Sequence, residues 1–343
     1  MDKAFTEQAE LRLHDHDSNL ARLEALMKRI GAMLDPFEFL GLVQRTYQEL
    51  QPAGTEEQMV ARLRACPSHE MFRAALDRAR AQTRPPVKAL ALGCGVGYAG
   101  MQASYAAGVL KEVFGPDTAI EECNVTPEMI ASGIRPARQF DVIVTHSMMH
   151  RFANLARLFA FIDTRLADGG VFVMGHEPNA RFFRNADCAQ ALTELCAANR
   201  RRRRLRDLAD PVRWWQRAAQ LLGKRPEPSL LEQVNIVLRL RHGFTSDLTP
   251  DEITRLIDIH RPVEQNTGFS IGLSGFDCDQ LEREFLPGFR RFWLGTSGHL
   301  GYTHSNSKEW RERQSQLAAR YPDDGAVLSV CWQKQTPIAG ANR

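Results

Sequence analysis

Short apolar runs alternate with helical patterns between residues 87 and 174, and this alternation restricts the fold more than any other feature of the sequence. Residues 87–92, 118–125, 140–145 and 171–174 have the composition of strands, and helical stretches or glycine turns separate them. Strands that alternate with helices form a parallel sheet that is covered by helices on its faces. The sequence therefore predicts an α/β fold.

The regions on either side of this alternation are mostly helical. Residues 1–84 form a predicted helical N-terminal segment, in which Thr55 and Gln58 have the spacing of a capping box. Residues 85–180 are the predicted sheet core, and residues 181–288 are predicted to be a helical, basic insertion. In the last segment, residues 289–302 and 326–332 are expected to be two strands that complete the sheet.

A glycine-rich loop follows the first predicted strand, with glycines at Gly93, Gly95 and Gly97. Glycine lets the backbone approach a ligand closely, and the helix that follows offers unpaired N–H groups to an anion. A tight turn between a strand and a helix needs the same residues, so the loop alone does not decide between a binding site and a structural turn.

Four segments in order, VKALALGCGVG, FGPDTAIEECNVTPEMI, FDVIVTHSMMHRF and LADGGVFVMGHEPN, resemble motifs of the class I S-adenosylmethionine-dependent methyltransferases. The resemblance covers about residues 87–180 and implies a Rossmann-like, doubly wound sheet of seven strands, whose last strand is antiparallel. It implies S-adenosyl-L-methionine as cofactor, with the three glycines under its methionine portion. Thr145, His146 and Ser147 would then lie beside the transferred methyl group.

The sequence departs from this family pattern in two places. Asn124 occupies the position where the family usually has an acidic residue that accepts hydrogen bonds from both ribose hydroxyls. An amide can accept from one hydroxyl and donate to the other, without the added strength of a charge. In addition, only fifteen residues separate Asn124 from FDVIV, so the family's third strand is expected to be missing or rebuilt.

Cys94 gives the same loop a second, weaker resemblance, to the IIB component of sugar phosphotransferase systems. In that family a loop cysteine carries phosphate, and Cys94 would be this residue. The second resemblance leaves LADGGVFVMGHEPN and the long C-terminal region without an explanation.

Candidate catalytic groups follow the fourth and fifth motifs. His150, His176 and Glu177 are expected at the carboxyl ends of parallel strands, where ligands of open α/β sheets bind. Each could act as a general base or hold the substrate; each could also satisfy a local backbone group. His146, His150 and the pair His176–Glu177 could in principle hold a metal, but the family resemblance already accounts for these positions and we expect none. Further isolated candidates without a motif are Asp258, His260, His299 and His304.

The charge of the chain is uneven although the net charge is only +3. Between Arg181 and Arg225 there are twelve cations and four acids, including the run from Arg200 to Arg206. Such a run is either a solvated helix surface or a docking site for nucleic acid, for an anionic membrane surface or for an acidic partner such as a carrier protein. Without a recognition module for nucleic acid, we expect no nucleic-acid substrate.

These observations together predict a cytoplasmic methyltransferase that acts on a small-molecule metabolite, as in a biosynthetic pathway. Seven scattered cysteines without a CxxC motif suit a reducing compartment, the polar N-terminus resembles no targeting peptide, and no apolar stretch is long enough to span a membrane. Two alternatives remain: other chemistry on the same cofactor, such as intramolecular cyclisation, and a non-catalytic or phosphate-handling module.

Overall fold

The structure is a computed structural model, and it describes residues 25–31, 36–50, 55–66, 68–94, 101–125, 139–151, 155–208, 227–257, 275–302 and 307–336. The helices are α1 (25–30), α2 (Pro36–Leu50), α3 (Glu56–Arg64), α4 (Ser68–Gln82), α5 (Met101–Phe114), α6 (Leu155–Arg165), α7 (Ala180–Arg184), α8 (Ala186–Leu208), α9 (Leu230–His242), α10 (Pro250–Ile257), α11 (Cys278–Glu284) and α12 (Lys308–Arg320). The strands are β1 (Lys88–Cys94), β2 (Ala119–Val125), β3 (Phe140–His146), β4 (Leu166–Pro178), β5 (Phe289–Ser297), β6 (His299–Tyr302) and β7 (Val327–Lys334).

Six of these strands form one sheet in the order β2-β1-β3-β4-β7-β5. Strands β1 to β4 are parallel to one another, and β7 runs antiparallel to both of its neighbours. The predicted α/β fold with a mostly parallel sheet and an antiparallel last strand is therefore confirmed. The resemblance implied seven strands, and the interval in which the third would lie, residues 126–138, is outside the described residues.

Helices cover both faces of the sheet, as the apolar composition of its strands requires. Alternate residues of β1 point in opposite directions, so that Ala89 and Ala91 pack with α4 and α5 while Leu90 and Leu92 pack with α6. We refer to these two sides as the α5 face and the α6 face. The small alanine side chains on the α5 face let α5 lie close to the strand.

The N-terminal helices and the helices of the predicted insertion share a second hydrophobic core. Apolar side chains of α1 and α2 pack there against α9 and α10. The amide of Gln44 donates to the backbone oxygen of Leu256 over 3.0 Å, and Asn235 exchanges two hydrogen bonds with the backbone of Leu248. Segments that lie about 200 residues apart in sequence thus form one helical subdomain, which we define by α1, α2, α9 and α10.

Two local predictions can be compared with the structure directly. Thr55 caps α3 as its spacing with Gln58 predicted, accepting from the Gln58 backbone N–H at 3.3 Å. The prediction of one strand over residues 289–302 was wrong, because Gly298 has a left-handed backbone (φ +77°) that separates β5 from β6. Among the described residues, no helix is long and apolar enough to cross a membrane.

Candidate functional site

The carboxyl ends of β1, β2, β3 and β4 lie at one edge of the sheet because the four strands are parallel. Ligands of open α/β sheets bind beyond this edge. The predicted site residues Gly93, Asn124, Thr145, His146 and Ser147 all lie at the ends of β1 to β3. His176 and Glu177 lie at the end of β4, so the structure brings these predicted residues to one edge.

Gly93 and Asn124 are direct neighbours across β1 and β2. A Cβ atom on Gly93 would lie 2.5 Å from the side-chain oxygen of Asn124 and 3.1 Å from the backbone nitrogen of Ala103 in the first turn of α5. Such distances exclude a side chain at position 93 unless Asn124 moves. Glycine is therefore required for the Asn124 amide to cover the end of β1. Gly95 and Gly97, which continue the loop, are outside the described residues.

Two buried polar atoms at this edge lack a hydrogen-bond partner within the described part of the chain. They are Nε2 of Gln102, in the first turn of α5, and Oγ1 of Thr145, near the end of β3. A buried polar group without a partner costs about 1–3 kcal/mol. Unpaired donors and acceptors of this kind fit a ligand that carries amino, carboxylate and hydroxyl groups, as S-adenosylmethionine does.

A β-bulge in β4 decides where His176 and Glu177 point. The pairing of β4 with β7 shifts its register between Met174 and Glu177, and His176 has a positive φ of 54°, which is uncommon for a residue other than glycine. The extra residue places His176 on the α5 face together with Gly175, and Glu177 on the α6 face. Bulges often re-aim side chains beside active sites in this way.

Glu177 binds the chain segment that follows β3. Its carboxylate accepts hydrogen bonds from the backbone N–H groups of Met148 and Met149 at 2.8 Å each, and from the His150 backbone N–H at 3.3 Å. Its second oxygen is also 2.7 Å from Nδ1 of His150. These four contacts occupy the carboxyl group and fix the short 3₁₀ turn Met149–Arg151. Glu177 and His150 are both buried, and we refer to them as one buried pair.

His146 and His176 form a second buried pair, on the α5 face. Their rings stack with centroids 5.1 Å apart and an interplanar angle of 25°. Nδ1 of His146 lies 2.6 Å from the side-chain oxygen of Gln102, and Nδ1 of His176 is hydrogen-bonded to the hydroxyl of Ser68. The Ser147 backbone N–H donates to the oxygen of Gly175 at 2.8 Å, which ties the ends of β3 and β4 together.

The first turn of α4 contributes residues that the sequence did not indicate. Ser68 bonds to His176, and Nδ1 of His69 lies 2.7 Å from the hydroxyl of Tyr105, whose ring centroid is 4.6 Å from that of His146. Ser68 lies more than 100 residues from His176 in the sequence, so no periodic signal connects the two. Two polar residues that open an otherwise apolar helix face are nevertheless an indication of a buried polar contact.

Burial sets the protonation of these groups. It lowers the pKa of His176 to about 4, and it lowers the pKa of His146 well below its ordinary value, with a further contribution from neighbouring His176. The two imidazoles are therefore uncharged at neutral pH. Burial raises the pKa of Glu177 to about 7, although the backbone N–H donors act in the opposite direction.

The remaining candidates have structural surroundings or lie outside the description. His299 contacts the backbone oxygen of Tyr321 at 2.9 Å, and Cys94 is buried in the apolar core of the α6 face, where a cysteine behaves as a small hydrophobic residue. Asp258, His260 and His304 are outside the described residues. Within the described ranges no three His, Cys, Asp or Glu residues converge as a metal site would require.

Comparison with known proteins identifies the family. Residues 63–233, about half of the chain, match the family model described as a methyltransferase domain. No curated protein has a sequence that matches the chain significantly.

Solved structures with a similar arrangement include three methyltransferases. The plantazolicin methyltransferase BpumL in complex with SAH (S-adenosylhomocysteine) is 13% identical with a TM-score of 0.35, over 88% of this chain and 98% of that chain. The N-methyltransferase NodS from Bradyrhizobium japonicum WM9, also in complex with SAH, is 12% identical with a TM-score of 0.33, over 85% and 100% of the two chains. A methyltransferase from Mesorhizobium loti is 13% identical with a TM-score of 0.27, over 75% and 96%.

The matched region contains β1 to β4, the glycine loop and the two buried pairs His146–His176 and His150–Glu177. The family match thus coincides with the part of the sheet whose sequence motifs and edge geometry already indicated a cofactor site. The chain therefore contains a methyltransferase domain, in residues 63–233.

Proposed function

We propose that this methyltransferase transfers the methyl group of S-adenosylmethionine to a small-molecule metabolite, with an uncharged histidine as general base. The observation that carries the proposal is the buried pair His146–His176 at the edge where β3 and β4 end. A neutral imidazole in an apolar site can accept the proton that an N–H or O–H acceptor loses on methylation.

The cofactor supplies an electrophilic methyl group on a sulfonium, and the chain has to hold and align it. We assign this role to Gly93, Asn124, Thr145, His146 and Ser147. The closed space over Gly93 and the unpaired Thr145 hydroxyl support the assignment. By resemblance, Gly95 and Gly97 continue the same cradle.

We assign the role of general base, which takes the proton from the methyl acceptor, to His176 rather than to Glu177. The Glu177 carboxyl group already has four hydrogen-bonding contacts, which favours a positioning role for it. Glu177 and His150 fix the turn that follows β3 and Ser147. His176 has its ring on the α5 face beside His146. Holding acceptor, methyl group and sulfur in line supplies most of the acceleration in such a reaction, because the bimolecular step becomes effectively unimolecular.

We propose that the helical subdomain covers the site in which the methyl acceptor binds. It combines the N-terminal segment with part of the insertion after β4, and its shared core supports movement of these helices as one unit. A cover of this kind would exclude water from the site and select acceptors by size. It also favours a small molecule over a folded macromolecule.

The test separates acceptors by size. The purified protein is incubated with S-adenosylmethionine and with either the low-molecular-mass or the macromolecular fraction of an extract of the source organism, and formation of SAH is measured. We expect acceptor-dependent SAH only with the small molecules, and a large loss with His176→Gln but not with the exposed control His242→Gln. SAH formation that depends only on the macromolecular fraction would contradict the proposal.

A second proposal concerns the basic run from Arg200 to Arg206, which belongs to helix α8. The first half of α8 is anchored by Cys188, Leu192 and Leu195 in a separate apolar cluster. Of the arginine side chains in the run, the structure describes that of Arg201, which is exposed. We propose that this end of α8 docks an acidic partner such as a carrier protein. Replacing several of these arginines by glutamate should leave the affinity for SAH unchanged, because α8 comes after β4 in the chain and contributes no residue to the proposed cofactor site. A large loss of SAH affinity would place the run in the cofactor site instead.

The proposed location is the cytoplasm. None of the seven cysteines forms a disulfide, as is usual in a reducing compartment. Detection of the protein in a secreted or periplasmic fraction would overturn this proposal.

A further inference from the structure

The first turns of α4 and α5 bring four polar side chains under the ends of β3 and β4. These are Ser68 and His69 from α4, and Gln102 and Tyr105 from α5, and each is buried. Three of their hydrogen bonds connect residues that lie 36, 44 and 108 positions apart in sequence. A buried polar network destabilises the fold unless each donor faces an acceptor. The donor or acceptor character of each group therefore constrains the protonation of the groups bonded to it.

The contacts of Ser68 define the proton position on His176. The Ser68 hydroxyl donates its single proton to the sulfur of Cys66 at 3.1 Å. Its oxygen is therefore an acceptor towards Nδ1 of His176. A hydrogen bond between these two atoms then requires the proton to be on Nδ1. Since the imidazole is uncharged, its lone pair lies on Nε2.

The contacts of Gln102 lead to the same result for His146. The side-chain oxygen of Gln102 lies 2.6 Å from Nδ1 of His146, and an amide oxygen can only accept. His146 must therefore donate from Nδ1 and keep its lone pair on Nε2. Gln102 is fully buried.

We propose that Ser68 and Gln102 are positioning residues that hold His176 and His146 as uncharged Nδ1–H tautomers, with Nε2 of each ring as the proton acceptor. In water, neutral histidine prefers the other tautomer, with the proton on Nε2, so the network would reverse the ordinary preference. The proton on Nδ1 of each ring is inferred from the hydrogen bonds, and the uncharged state of each ring from its lowered pKa, whereas their use in catalysis rests on the function proposed above.

Tyr105 and His69 complete the arrangement as a brace. The Tyr105 ring packs against His146 at a centroid distance of 4.6 Å, and its hydroxyl is held by His69 at 2.7 Å. Phe72, one turn further along α4, approaches His146 edge-on at 4.8 Å. These contacts restrict the rotation of the His146 ring and thereby fix the direction in which its Nε2 atom points.

Long-range ¹H–¹⁵N correlation spectra of protein labelled with ¹⁵N-histidine report each tautomer directly, without substrate or cofactor. At pH 7.5 we expect His146 and His176 to show a pyrrole-type Nδ1 and a pyridine-type Nε2, with assignments taken from His146→Gln and His176→Gln. Ser68→Ala should move His176 towards the Nε2–H tautomer and leave His146 unchanged. Gln102→Leu should do the reverse. Ser104→Ala, which removes an exposed hydroxyl of α5, is the control and should change neither.

An Nε2–H tautomer for either ring in the wild-type protein would overturn the proposal for that ring, whether or not the variants fold. Ser68→Thr retains the hydroxyl and should restore the wild-type His176 signal; failure of this rescue also counts against the proposal. Once an acceptor is known, Ser68→Ala should lower kcat about tenfold or more with an unchanged KM for the cofactor, because it would weaken a general base. If the wild-type protein shows the predicted tautomers but Ser68→Ala has a normal kcat, the catalytic use of His176 is refuted while the positioning role of Ser68 stands.

Discussion

Gly175 is the position where the structure predicts the clearest effect of a single methyl group. A Cβ atom at residue 175 would lie 2.6 Å from Cε2 of Phe72 and closer still to Cδ2. Real Cβ atoms essentially never lie within 3.0 Å of another heavy atom. Phe72 is fully buried and packs edge-on against His146, so its ring cannot move aside without disturbing the histidine pair.

We therefore expect Gly175→Ala to lower the free energy of unfolding by about 1–3 kcal/mol, the usual cost of overpacking a core. Urea denaturation measures it as a lower midpoint with an unchanged slope. The matched control is Gly108→Ala in helix α5, where a Cβ atom would meet nothing within 4 Å. This control should instead gain up to about 1 kcal/mol from helix propensity.

A double-mutant cycle with Phe72→Leu tests the stated cause. If the clash is with the Phe72 ring, Gly175→Ala should cost less in the Phe72→Leu background, with a coupling energy of about 0.5–3 kcal/mol. A Gly175→Ala variant as stable as wild type, or strictly additive effects in the cycle, would refute the explanation.

Two further predictions concern protonation and cofactor binding. Because burial lowers the pKa of His176 to about 4 from its ordinary 6.5, the unfolded chain binds a proton there before the folded chain does, so stability is lost as pH falls from 6.5 to 4. This loss of unfolding free energy is about 3 kcal/mol. Urea denaturation at pH 6.5 and pH 4 should show a loss that is smaller by about this amount in His176→Gln than in the wild-type protein; an equal loss in the two proteins would contradict the lowered pKa. Asn124→Asp should tighten SAH binding about fivefold, measured by calorimetry, because a carboxylate accepts hydroxyl protons about 1 kcal/mol better than an amide; weaker binding would show that Asn124 does not face the ribose.

The sequence predicted the ends of the strands where these depend on local pattern. Apolar runs located the strands, and parallel strands place their carboxyl ends together, so Gly93, Asn124 and His146 lie at one edge, while their roles stay predictions. The pairing of Gly93 with Asn124 follows from the same regularity, since each ends its strand.

The rest of the site depends on features that no local pattern encodes. The bulge at Gly175 and His176 reverses the faces that simple alternation would assign to His176 and Glu177, and only the pairing with β7 reveals it. The contact of Ser68 with His176 joins two elements more than 100 residues apart. Glu177 was expected as a catalytic group from its residue type, while its four contacts indicate that it organises the turn after β3.

The helical subdomain illustrates the same division. The apolar periodicity of the N-terminal segment predicted helices, and α2 and α4 were found where helices were expected. Nothing in that periodicity indicated that α1 and α2 would pack with α9 and α10 rather than with the sheet. Helix faces of similar apolar character can pair in several ways, and burial in the folded chain decides among them.

The central claim is that the edge formed by Gly93 and Asn124 holds the cofactor, and calorimetric titration with SAH tests it most directly. The account predicts that the wild-type chain binds SAH at one site, and that Gly108→Ala binds it equally well. Gly93→Ala should bind about fivefold more weakly or worse, because its Cβ atom displaces Asn124 and removes a hydrogen bond of about 1 kcal/mol or more. Absence of binding to the wild-type chain, or equal affinity for Gly93→Ala, would contradict the account.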